Sequence, residues 1–97
     1  MERKLTNKKV LLGLINNNGY LSQMSRLTEE CGEFIVAKEH FIRNRINLID
    51  VYKEIADIHF VTSQFITANP DIFKPIMDEL FEKGEHRIKT NNYEGHL

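Results

Sequence analysis

Two clusters of carboxylates stand out in the chain: Glu29, Glu30 and Glu33 in "EECGE", and Glu54 and Asp57 in "EIAD". Within each cluster two acids are three residues apart, a spacing that puts both on one face of a helix, one turn apart, with Cβ atoms roughly 5–6 Å from each other. Like charges so placed repel by roughly 0.2–0.5 kcal/mol per pair. The arrangement gains nothing locally: either the face is solvated, or something positive sits on it. A turn near Arg43 to Arg45 lies about twelve residues from the midpoint of each cluster. At about 1.5 Å of rise per residue, each arm is about 18 Å long, so an antiparallel hairpin brings the two acidic pairs to the same height.

Angular position separates the acids further. At about 100° per residue, Glu30 borders the apolar stripe beside Phe34, Glu33 lies further round, and Glu29 points more nearly to solvent. On the second arm Glu54 falls within an apolar sector of Val51, Ile58, Val61 and Phe65, which predicts that it is not a surface residue. A carboxylate withdrawn from water protonates unless a cation keeps its charge favourable. Four carboxylates with no His or Cys among them are hard oxygen donors suited to Mg²⁺, with Mn²⁺ as the alternative, and less to zinc or copper. Magnesium retains waters and shares its coordination shell with phosphates, which points to phosphate ester or anhydride chemistry.

The elements that must position these groups are helical. Strict two-residue alternation is absent, most of the five glycines fall outside the periodic segments, Pro70 lies at a break and Pro75 in or near the first turn of the fourth helix. Four helices are predicted: about Leu5 to Ile15, ending in the "NNNG" turn; Leu21 or Ser22 to Arg43, with Met24, Leu27, Cys31, Phe34, Ile35, Phe41 and Ile42 as its apolar stripe; Asn47, as N-cap, to Thr67; and Asp71 to Lys83 after the "NPD" break. The stretch from Gly84 to Leu97 reads as irregular or as ordered only by a partner. Residues 1–97 make one all-α domain, a four-helix-bundle-like fold built on the long antiparallel hairpin; at this length self-association would help to bury a core.

Composition narrows the partners. Thirteen basic and fourteen acidic residues are interspersed, giving a net charge of −1, without the basic footprint that nucleic acid binding needs. The one cysteine, Cys31, excludes an internal disulfide and reads as a small buried hydrophobe on its helix. No transmembrane run and no signal peptide are predicted, which makes the cytoplasm the default location. His40, His59, His86 and His96 lack the spacing of a metal set.

The pair of motifs, "EECGE" followed by "EIAD", resembles the EExxE…ExxD signature of the MazG-like, all-α nucleoside triphosphate pyrophosphohydrolase superfamily. The likeness covers roughly residues 20 to 67. It implies a metal-dependent enzyme that cleaves a nucleoside triphosphate between its α- and β-phosphates, serving nucleotide-pool housecleaning, with helices packed across subunits of a homodimer or homotetramer. Carried over, it makes Glu30, Glu33, Glu54 and Asp57 the magnesium ligands, with Glu29 beside them aiding water activation. Lys83 and Arg87 would bind phosphate, and Gln23 and Lys38 would touch substrate. Phosphoribosyl-ATP pyrophosphatases of histidine biosynthesis share the motif but not the segment "NNNGYLSQMSRL" before it. The remaining alternative is a non-catalytic helical module that binds nucleotide or protein. Base selection would fall to aromatic side chains, with Phe34, Tyr52, Phe60 and Tyr93 as candidates.

Overall fold

The computed structural model describes residues 2–91, and among them every regular element is an α-helix. The four helices are α1 (Asn7–Asn18), α2 (Tyr20–Ile42), α3 (Leu48–Ala68) and α4 (Pro70–Asn91). Tyr93 and His96 lie outside the described residues.

Local chemistry sets the breaks. Thr6 caps α1 by accepting a hydrogen bond from the Lys9 N–H at 3.2 Å. The three asparagines continue that helix one turn beyond the expected end at Ile15, and the chain breaks only at Gly19. There φ is 86° and ψ is 156°, a conformation essentially confined to glycine. Gly19 ends α1 and starts α2 at once, its N–H donating to the Ile15 carbonyl at 2.9 Å and its carbonyl accepting from Gln23 at 3.1 Å.

The turn between α2 and α3 is closed by Asn44 in the left-handed region, at φ 59°. Its N–H donates to the Phe41 carbonyl at 3.0 Å and the Arg45 N–H reaches back to the His40 carbonyl at 2.8 Å. This pairing of bonds is a Schellman motif, with Asn where glycine is commoner. Asn47 and Asp50 then form a reciprocal capping box at the start of α3, as the expected N-cap at Asn47 requires.

The long antiparallel hairpin of α2 and α3 carries the most extensive contact in the chain, and α1 packs mainly on α3. Tyr20 ties the start of α2 to the end of α3: its ring stands edge-on to Phe65, centroids 5.7 Å apart, and its hydroxyl accepts from the Asn69 side chain at 3.0 Å. The fully enclosed centre is small. Ile15, Val51 and Val61 are its buried hydrophobes, joined by the buried amides Gln23 and Gln64. Gln23 Nε2 donates to Gln64 Oε1 at 2.6 Å, bridging α2 and α3 with a bond that water does not reach.

Three expectations need correction. The segment after Lys83 is helical through Asn91, not irregular; Gly84 does not stop α4, because 22 residues with ion pairs at Lys74–Asp78, Lys83–Glu79 and Lys89–Glu85 support the helix along its length. Cys31 is exposed, not buried. Much of the expected α2 stripe is exposed as well: Met24, Ile35, Phe41 and Ile42 face outward, and Leu27 and Phe34 are half-buried. Helix α4 touches only α3 among the described elements. No helix among the described residues is long and apolar enough to cross a membrane.

Candidate metal centre

The inward seam of α2 runs through Gln23, Leu27, Glu30 and Phe34, and that of α3 through Val51, Glu54, Ile58 and Val61. Glu30 and Glu54 stand in these seams among the apolar Leu27, Phe34, Val51, Ile58 and Val61. Glu30 is buried, 5% exposed, and Glu54 is half-buried. Glu33 and Asp57 stand one residue off these seams, at the exposed rim on one side of the hairpin. One oxygen from each of Glu30, Glu33, Glu54 and Asp57 can be chosen so that all four lie within 4.8 Å of one another. The antiparallel turn therefore does bring the two acidic pairs to one height.

The negative charge of this cluster is compensated only in part among the described residues. Arg26 Nε donates to Glu30 Oε1 at 3.0 Å, which satisfies one oxygen of the most buried acid. Glu30 Oε2 and Glu54 Oε2 are buried with no hydrogen-bond partner among the described residues. An orphaned carboxylate oxygen away from water is costly. The strain shows at Glu33, whose pKa is raised above 4.5 chiefly by the Glu30 carboxylate, with loss of hydration and the Glu54 carboxylate adding to it.

A hard divalent cation fits this donor set. Ligand oxygens around one octahedral Mg²⁺ are at most about 4.2 Å apart, so a cluster spanning 4.8 Å needs only small rotamer changes to close on an ion. Glu30 and Glu54, each with a buried oxygen lacking a partner among the described residues, both belong to this donor set.

Two recesses flank the cluster. A small cavity of about 180 Å³ is lined by Leu14, Asn18, Gln23, Arg26, Glu30, Asp57, Phe60 and Val61. A wide open groove of about 790 Å³ is lined by Glu29, Gly32, Glu33, Val36, Ala37, His40, Ile46, Asp50 and Glu54. Glu29 is exposed on the wall of this groove, beside the cluster and outside its four-oxygen core.

The other expected contacts fall differently. Gln23 reaches the small cavity but its amide is engaged with Gln64. Lys38 is exposed, ion-paired to Glu39 at 3.3 Å, and lines neither recess. Lys83 and Arg87 line a separate surface hollow on α4 with Glu82, His86 and Thr90, so within one chain the structure does not bring them to the acids. Tyr52 is likewise absent from both recesses, whereas Phe60 lines the smaller one.

Sequence reasoning missed Arg26, Asn18 and Asp50. Arg26 was findable, since it sits four residues before Glu30 on the same helix. Asn18 comes from α1, and no local spacing reports its approach. Comparison of the chain with family models, with curated proteins and with solved structures finds no match.

Proposed function

We propose that this chain is a Mg²⁺-dependent nucleotide pyrophosphohydrolase of the MazG-like kind, which hydrolyses a nucleoside triphosphate to the monophosphate and pyrophosphate. The observation that carries this reading is the cluster of four carboxylates on two antiparallel helices, two of whose buried oxygens have no partner among the described residues. A structural bundle would be better served by Leu at position 54. The order and spacing of "EECGE" and "EIAD" support the same reading.

In this proposal Glu30, Glu33, Glu54 and Asp57 hold the cation. When bound, it supplies neutralisation of phosphate charge and acidification of a water. Arg26 fixes the Glu30 carboxylate in place. The open groove admits the triphosphate alongside Glu29, which accepts the proton of the attacking water. The water oxygen bonds to the α-phosphorus, the bond from that phosphorus to the oxygen bridging to the β-phosphate breaks, and pyrophosphate leaves with the electron pair. Residues Asn18 and Phe60, at the smaller cavity, offer an amide and a ring face toward which a base could be oriented.

The test is a panel of standard and damaged nucleoside triphosphates incubated with Mg²⁺, with products resolved by anion exchange. Pyrophosphate and monophosphate are expected in equal amounts, and Glu54→Gln should reduce the rate by at least a hundredfold. Release of orthophosphate alone, or full activity in the variant, would overturn the proposal.

A further inference from the structure

Arg26 stands one turn before Glu30 on the same face of α2. A guanidinium and a carboxylate in contact frequently pair through two parallel hydrogen bonds. Here the pairing is single: Arg26 Nε donates to Glu30 Oε1 at 3.0 Å, and Glu30 Oε2 has no partner among the described residues. Neither terminal amino group of Arg26 therefore bonds that second oxygen. The Arg26 side chain is 61% exposed against 7% for Glu30, so the guanidinium sits at the boundary between the buried acid and solvent.

Position decides what those amino groups can meet. Arg26 lines the small cavity together with Glu30, Asp57, Asn18 and Phe60. Among the described residues that line the two recesses beside the acids, it is the only lysine or arginine; Lys83 and Arg87, expected to bind phosphate, line the separate hollow on α4. The proposed function, on which this inference rests, turns the base toward Asn18 and Phe60 and admits the triphosphate to the open groove. The phosphate nearest the small cavity is then the α-phosphate. A planar guanidinium fork matches two oxygens of a phosphate group. We infer that Arg26 binds the α-phosphate of the nucleotide through its terminal amino groups while its Nε holds Glu30. One side chain thus ties a carboxylate of the metal centre to the phosphate under attack. After cleavage that phosphate stays with the monophosphate, and the pyrophosphate departs through the groove, away from Arg26.

Calorimetric titration separates this contact from the cation beside it. Each protein is first brought to a Mg²⁺ concentration that saturates its own melting curve. Three probes are then measured: the nucleoside monophosphate formed from the best substrate of the triphosphate panel, the matching nucleoside, and inorganic pyrophosphate. Arg26→Gln should weaken monophosphate binding at least about tenfold and leave the nucleoside and pyrophosphate bound as in the native chain. Arg26→Lys keeps a charge for Glu30 but loses the planar fork, and should show a smaller loss in the monophosphate alone; if Arg26→Gln does not fold, that loss decides. Equal monophosphate affinity in the native chain and its variants overturns the inference. So does a matching loss of pyrophosphate, the mark of a residue that acts only through Glu30 and the cation, or an active native chain that binds the monophosphate no better than the nucleoside. A native chain that releases no pyrophosphate from any triphosphate fails the proposed function and this inference with it, whereas the three outcomes above fail the inference alone, in an active enzyme.

Discussion

Substituting Glu54 by Gln should stabilise the metal-free protein and destroy its response to divalent cations, two effects of opposite sign from one atom-for-atom exchange. Glu54 shares with Glu30 a cluster whose chosen oxygens lie within 4.8 Å. Two unit charges at that distance repel by about 0.9 kcal/mol in water and about 3.5 kcal/mol at an effective dielectric of 20. Glu54 is half-buried, and the Arg26 ion pair offsets part of the Glu30 charge, so a net gain of about 1 kcal/mol is expected near the lower limit of that range. For a domain of this size, about 1 kcal/mol raises the melting temperature by about 4–8 °C. The native chain, in turn, should gain about 2.7 kcal/mol when Mn²⁺ or Mg²⁺ stands a hundredfold above its Kd, and the variant should gain far less. Melting curves in chelator and across a cation titration, at one fixed protein concentration, should therefore cross: the variant melts higher without metal and lower with it. A variant that melts lower in chelator, or cation shifts that match the native protein's, would refute the argument that Glu54 serves to bind a divalent cation.

Two further outcomes rest on different atoms. Glu33 has a raised pKa in the metal-free chain, so the folded state binds its proton more tightly than the unfolded state. The destabilisation from ionising Glu33 is full above that raised value and fades as pH falls through it toward 4.5; in chelator, the native melting temperature should rise relative to Glu33→Gln over this window, and parallel pH profiles would count against it. Gln64→Leu should cost about 1–3 kcal/mol in urea denaturation because it strands the buried Gln23 amide, whereas Gln23→Leu with Gln64→Leu should recover most of the loss; equal costs for the single and double variants would show that the bond contributes little.

The sequence by itself determined the hairpin and the meeting of its acids. Helical periodicity placed α2 and α3, Asn47 announced its own cap, and the near-equal arms on either side of the turn required Glu30 and Glu33 to stand level with Glu54 and Asp57. These are consequences of helix pitch and rise, which local spacing carries in full. The tertiary structure decided which apolar residues are core. Spacing gave α2 one broad stripe, but a stripe wider than one seam cannot all face a single neighbour, and packing against α3 took the Leu27 and Phe34 seam while leaving Cys31, Ile35 and Ile42 outside. It also decided that Lys83 and Arg87 lie apart from the acids of their own chain, because α4 leaves the hairpin after touching only α3. Charge, periodicity and capping are properties of neighbouring residues; which face finds a partner depends on segments far along the chain.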